Sequence, residues 1–162
     1  MKTYSLEERR KWYKTLPKKH IGVGLILRNE LGQILILQTN YLGGKWTFPA
    51  GGAEQYESPQ ETIQREVLEE IGIEVGVGRL LFLETVNHKE IKEDNLVLYF
   101  DGGILNQSQI EKITLTEEET IDFGFFDISD LEDMLEPHVK ARLPYLLKAL
   151  GQDQPIFMKV ER

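Results

Sequence analysis

Three carboxylates, Glu66, Glu69 and Glu70, stand within five residues of one another in this 162-residue chain. On a helix, residues three and four apart share a face, so Glu66 faces Glu69 and Glu70 together. At ~100° per residue the three fall within an arc of roughly 100°. Ile63, Val67 and Ile71 form the neighbouring apolar stripe, so the acidic arc borders a buried face. Each like-charged pair at this spacing destabilises a helix by about a few tenths of a kcal/mol in water, and by more at a partly desolvated edge. A hard divalent cation offsets that repulsion, because Mg²⁺ takes oxygen ligands. Arg65 is the only base in the helix after its cap. It can pair with Glu61 or Glu69 at four-residue spacing, or with Glu57 in the preceding loop. An isolated acidic run reads as a solvated helix face. Here a glycine-rich loop carrying Glu54 and Glu57 precedes it, and that context favours a metal site.

The elements that must position these groups are legible around them. Ser58 suits an N-cap, Pro59 the first helical position, and Glu61 completes a capping box; Gly72 supplies the stop. The stretch 41–53, YLGGKWTFPAGGA, holds too much glycine and proline for a helix, and Trp46-Thr47-Phe48 fits a short strand between two bends. Residues 20–28 and 33–39 are rich in β-branched and apolar types, with turn chemistry at 29–32, and read as a β-hairpin. Further strand-like runs cover 80–86, 95–100 and 123–128, and Asp101-Gly102-Gly103 marks a bulge or turn. A last helix is expected over 137–150, with Val139, Leu143, Leu146, Leu147 and Leu150 on its apolar face. Residues 5–14 read as a short helix capped by Ser5, with Glu7 and Glu8 in its first turn. Trp12 and Leu16 are expected to pack that helix onto the main body. Strands and helices mixed without regular βαβ repeats imply a mixed sheet with helices against it, in one domain.

Composition bounds the function. Hydrophobic residues at 41% and charged residues at 28% fit a soluble globular domain. No apolar run approaches the ~20 residues of a membrane span. The charged start is unlike a secretory signal, so a cytoplasmic location is expected and no membrane partner. The absence of cysteine excludes disulfides and thiolate metal sites. A net charge of −8 repels a polymeric nucleic acid. It admits a small phosphorylated ligand when a divalent cation lies between. There is neither a P-loop nor a Gly-x-Ser-x-Gly elbow.

Gly51, Glu57, Arg65, Glu66, Val67, Glu69, Glu70, Gly72 and Ile73 together fill a longer pattern. It runs Gly, five residues, Glu, seven residues, Arg-Glu, an aliphatic, any residue, Glu-Glu, any residue, Gly, an aliphatic. On this pattern the chain resembles the Nudix hydrolase family. Its seven invariant positions match by chance at on the order of one in a few hundred million starting points. The flank Trp46-Thr47-Phe48-Pro49-Ala50-Gly51-Gly52 resembles the family's aromatic-x-Leu-Pro-Gly-Gly lead-in. Ala50 replaces the first glycine there, and a positive φ at that position would strain it.

The resemblance implies an α/β/α sandwich with a mixed β-sheet and a loop–helix–loop metal site. One domain would cover 1–162, with 1–19 as an N-terminal helical extension. By matching positions Glu66, Glu69 and Glu70 would be side-chain metal ligands and the Ala50 carbonyl a backbone ligand. Arg65 would orient Glu57 and Glu69. The implied cofactor is Mg²⁺, with Mn²⁺ as a substitute. The implied reaction is hydrolysis of a phosphoanhydride or phosphate ester in a nucleoside diphosphate linked to another moiety. In many relatives the general base lies outside the signature, in a loop before a late strand. Here that points to Glu119 first and Glu118 second, with Glu57 and Glu70 of the signature still in play. His88 and Lys89 are candidate phosphate contacts, and Trp46 and Tyr41 are candidate stacking partners for a base; Trp46 is also suited to packing under the glycine loop. His20 and His138 receive no role. The partner expected is a small nucleotide, with a homodimer by analogy to the family. Other classes compete. A non-catalytic Nudix-like ligand sensor would usually lose signature glutamates. A prenyl-diphosphate isomerase on the same fold would want a cysteine. A Ca²⁺ module would want EF-hand spacing.

Overall fold

A computed structural model describes residues 4–40, 43–90, 93–115 and 120–161. Strand β1 (His20–Asn29) is the axis of the sheet. Its side chains alternate, as pleating requires: Val23, Leu25 and Leu27 face one core and Ile26 the other. After it come β2 (Ile34–Thr39), β3 (Trp46–Thr47), β4 (Ala50–Gly52), α2 (Pro59–Ile71), β5 (Leu80–His88) and β6 (Glu93–Leu105). Then follow α3 (Gln107–Ile110), β7 (Thr120–Phe126), α4 (Ile128–Met134), α5 (Pro137–Lys140), α6 (Leu143–Leu150) and β8 (Ile156–Glu161). The sheet order is β3-β2-β1-β6-β5-β8, with β4 also on β1 and β7 on β2. The β1–β6 and β5–β8 pairs are parallel and the other pairs antiparallel, so the sheet is mixed.

Helices cover both faces, which makes the fold an α/β/α sandwich. On one face α2 sets Ile63, Val67 and Ile71 against Val23, Leu25, Leu35, Leu37 and Phe100. On the other, Leu131 of α4, Val139 of α5 and Leu143, Leu146 and Ala149 of α6 cover Ile26, Ile34, Ile36, Phe82 and Tyr99. Burying each such large side chain contributes about 1.5–3 kcal/mol, so α2 is held from below by its apolar stripe while its acidic edge stays at the border.

Several expectations are corrected. The hairpin of β1 and β2 exists only at its turn, where Arg28 pairs with Ile34. Further along, β4 takes the β1 edge at Gly22–Gly24 and β3 takes the corresponding edge of β2 at Leu37 and Gln38, while β7 pairs with the opposite edge of β2 from Ile34↔Phe126 to Thr39↔Thr120. The last helix is two, α5 and α6, separated at Ala141 and Arg142. Pro144, in the first turn of α6, has no N–H to donate back and starts a new helix. Strand β7 ends at Phe126; Asp127 then stands, extended, at the N-cap position of α4, so Ile128 is helical. Helix α1 (Leu6–Thr15) buries none of its residues, and Trp12 is 57% exposed and Leu16 36%. They do not pack onto the body, because Leu16, ahead of Pro17, is extended (φ −76°, ψ 145°) and carries the helix away. Asp101-Gly102-Gly103 does form a bulge, with Ile26↔Asp101 followed by Arg28↔Ile104 and Gly103 at φ 75°. No helix among the described residues is long and apolar enough to cross a membrane.

Candidate active site on the carboxylate helix

The start of α2 is fixed by its own sequence. Ser58 Oγ accepts from the Glu61 N–H at 3.3 Å, and the Glu61 carboxylate accepts from the Ser58 N–H at 2.8 Å. Gly72 ends the helix in the left-handed region at φ 71°. The loop ahead is zipped along β1, with Gly22↔Gly52, Val23↔Gly51 and Gly24↔Ala50 in register. The Leu25 N–H donates to Pro49 O and the Ala53 N–H to Ile21 O, each at 2.9 Å. Ala50 is therefore strand, and Tyr56 is the only described non-glycine residue with positive φ. The alanine that replaces the lead-in glycine carries no backbone strain.

Arg65 gathers the carboxylates. Its Nε donates to Glu57 Oε1 at 2.8 Å and its Nη2 to Glu57 Oε2 at 3.0 Å. Its Nη1 donates to Glu66 Oε1 at 2.8 Å and Glu69 Oε2 at 2.9 Å, and its Nη2 also reaches Gly52 O at 3.0 Å. A guanidinium has five N–H donors, and these contacts use all of them. Glu61, engaged with Ser58, is not among the partners. The hydrogen bond from Arg65, then that from the Glu54 N–H, hold the Glu57 carboxyl down at about 2. Arg65 is raised in turn, chiefly by Glu57. Burial pushes Glu66 up despite Arg65 beside it. Its carboxyl lies on Gly51, where an added Cβ would stand 1.9 Å from Glu66 Cδ. Glu70 is 8% exposed, and its Oε2 accepts from the Ala50 N–H at 3.2 Å.

The turn that fixes Glu57 has no counterpart among the expectations from residue type. The Glu57 N–H donates to Glu54 O at 3.3 Å, the Glu54 N–H donates to Glu57 Oε2 at 2.9 Å, and buried Thr62 donates to the same oxygen at 3.1 Å. Gly24 was also missed as part of the frame. A Cβ there would stand 2.3 Å from the Tyr99 ring, and a glycine inside a strand pattern was the available signal.

The remaining candidates lie elsewhere. His88 ends β5 opposite Glu93, and Lys89 Nζ reaches Glu161 Oε2 at 2.5 Å. Both line a cavity of about 410 Å³ with Pro17, Lys18, Asn87 and Asp94. Gly52, Gly22, Val97 and Glu84 form one row across the sheet. His88 is four residues beyond that row, so it lies roughly 20 Å from Gly52 at ~3.3 Å per residue and ~4.8 Å per strand. The structure does not bring His88 and Lys89 to the carboxylates. Trp46 is half-buried, edge-to-face with Phe126 at 5.3 Å, and its carbonyl accepts from the Glu136 N–H at 2.9 Å. That packs it into the core under α4 and α5. Glu119, Glu118 and Tyr41 lie outside the described residues.

The carboxylates around Arg65 and the adjacent backbone form an all-oxygen donor set, whose chemistry fits a hard cation such as Mg²⁺ or Mn²⁺. Among the described residues, no three or more His, Cys, Asp or Glu side chains form a ready-made metal cluster. Arg65 and the Ala50 N–H engage the carboxylates instead.

Comparison with known proteins agrees with this geometry. RNA pyrophosphohydrolase of Pseudomonas paraeruginosa is 44% identical over 60 residues, 37% of this chain and 37% of that protein. The 8-oxo-dGTP diphosphatase of Proteus vulgaris is 38% identical over 74 residues, 44% of this chain and 63% of that protein. The chain thus matches about a third to two thirds of the length of these curated relatives. The crystal structure of the MutT protein from Methanosarcina mazei superposes with a TM-score of 0.68 at 24% identity, over 84% of this chain and 98% of that one. That likeness is one of fold. The profile of the NUDIX domain matches residues 18–149, a span that holds β1, the glycine loop, the carboxylate helix and the last helix, and the chain belongs to that family.

Proposed function

We propose that this chain hydrolyses a phosphoanhydride or phosphate ester in a nucleoside diphosphate linked to another group. Glu66, Glu69 and Glu70, with the Ala50 carbonyl, would hold a divalent cation. The observation that carries this reading is the convergence of Glu57, Glu66 and Glu69 on the single guanidinium of Arg65, with the Glu66 carboxyl seated on Gly51. Family hydrolases generally use divalent metal ions. Such an ion neutralises phosphate oxygens and lowers the pKa of a bound water.

The chain's own groups supply the rest. Arg65 keeps three carboxylates in fixed positions, and the β4 loop presents backbone beside them. Hydrolysis adds the oxygen of water to phosphorus and breaks a bridging P–O bond. The water's proton passes to a carboxylate. Glu57 is poorly suited to that role, because its carboxyl is held at about 2 by Arg65 and the turn. The candidates for the base are then Glu119 first and Glu118 second, with Glu70 of the signature also in play.

The test is product release from nucleoside triphosphates (oxidised ones included), ADP-ribose, nucleotide sugars and dinucleoside polyphosphates, with Mg²⁺, with Mn²⁺ and with chelator. Metal-dependent cleavage of one class is expected. Glu69→Gln and Glu70→Gln should lower kcat about a hundredfold while the fold survives. Glu119→Gln should lower kcat without weakening metal binding. Silence across the panel in folded protein, or near-normal rates in both signature variants, would overturn the reading.

A further inference from the structure

Tyr56 stands where a side chain is sterically disfavoured and gains no packing. It is the third residue of the turn 54–57, closed by the Glu57 N–H on Glu54 O at 3.3 Å, with φ at 77°. That is the position of a type II turn at which glycine is favoured, since a Cβ clashes with the backbone there. The ring is 94% exposed, so no contact within the chain offsets the strain. Strain of this kind clusters at functional sites. The turn is rigid as well, because Glu57 is bound at once to Glu54, Thr62 and Arg65. An exposed aromatic ring is thus carried on a fixed backbone one residue before Glu57.

We propose that Tyr56 is a specificity-determining residue that stacks on the nucleobase of the substrate. The inference rests on the reading of the site as a nucleotide hydrolase. A flat π face is sequence-tolerant, because every base has one too. Tyr56 therefore sets a preference for nucleotides over base-free diphosphates, rather than a choice among bases.

The test is equilibrium titration of wild type, Tyr56→Phe and Tyr56→Gly with AMP, with UMP and with inorganic pyrophosphate, in Mg²⁺, alongside thermal unfolding. Tyr56→Gly should bind both mononucleotides about tenfold more weakly and pyrophosphate as wild type does. It should unfold at the same temperature or higher, since glycine relieves the turn. Tyr56→Phe should match wild type. Undiminished mononucleotide binding by Tyr56→Gly, or an equal loss for pyrophosphate, would overturn the inference. Wild type that binds pyrophosphate but neither mononucleotide overturns it while leaving the hydrolase reading intact. Wild type that binds none of the three overturns both.

Discussion

Gly51→Ala and Gly52→Ala separate a functional from a structural role at neighbouring positions. A Cβ on Gly51 would lie 1.9 Å from Glu66 Cδ and 2.2 and 2.3 Å from its oxygens, whereas one on Gly52 meets nothing within 4 Å. Ordinary contact begins at 3.4 Å, so the Glu66 carboxyl must retreat by about 1.5 Å. It sits at the end of a flexible side chain and can do so with little disturbance to the fold. The retreat breaks the 2.8 Å bond from Arg65. A partly exposed ion pair contributes about 1 kcal/mol or less, a fall of about 2–4 °C in Tm. A misplacement of about 1 Å in a catalytic group can lower the rate about a hundredfold. The expectation is a kcat about a hundredfold down in Gly51→Ala and unchanged in Gly52→Ala, with both unfolding near wild type. Initial rates at saturating Mg²⁺, paired with thermal unfolding, read both quantities. Full activity in Gly51→Ala, or equal losses in the two, would refute the argument that the glycine exists to seat Glu66.

Other perturbations have equally definite outcomes. Glu84 and Arg142 are 3% and 7% exposed and joined at 2.8 and 2.6 Å. Glu84→Gln should therefore lose about 3–5 kcal/mol, while Glu84→Leu with Arg142→Met recovers most of it; chemical denaturation of the three proteins decides. Because Glu57 is held at about 2, its stabilising contribution is complete above the ordinary carboxylate range. It is lost as pH falls from about 5 towards 2, so unfolding of Glu57→Gln should depend less on pH in that window. Arg65→Lys keeps the charge but offers three donors for five acceptors. It should lower kcat by at least about tenfold with the fold intact, and a wild-type rate would deny Arg65 its positioning role.

The carboxylate helix was legible because its signals are local. Ser58, Pro59, Glu61 and Gly72 each act within a turn of themselves, and the stripe of Ile63, Val67 and Ile71 has helical period. What the sequence withheld depends on distant partners. Nothing near β1 says that β4 will take its edge and leave the rest of β2 to β3. The run 137–150 carries a helical apolar face right through Pro144, which masks the break that this proline marks; the interruption leaves Arg142 buried against Glu84, 58 residues away. The alternation Met158-Lys159-Val160-Glu161 is present in the sequence, but only the distant β5 gives it a partner, with Phe82↔Ile156 and Glu84↔Met158 paired in parallel. Trp12 and Leu16 have the spacing of a packed stripe, but Pro17 directs the chain away from the body that would receive them. At the site, the metal-ligand candidates followed from charge crowding, whereas the turn that clamps Glu57 is built from backbone groups that leave no mark in residue type.

Charge explains why the site takes this form. Glu57, Glu66, Glu69 and Glu70 bring four carboxylates to one end of the glycine loop, and Arg65, the one base of α2, bonds Glu57, Glu66 and Glu69. Its five donors are already in use, so it cannot neutralise more. A second arginine would lower the excess of negative charge and occupy carboxylate oxygens that a cation would otherwise take. The deficit costs a little stability at a partly buried edge, where Glu66 is already pushed up by burial. The packed stripe beneath α2 supplies far more than that cost, so a strong core lets the edge remain under-neutralised. An anionic pyrophosphate meets that same excess of negative charge and is repelled by it. On the proposed reading, substrate and carboxylates would need the same cation, and the acidic edge that disfavours the ligand alone would favour the ligand with its metal.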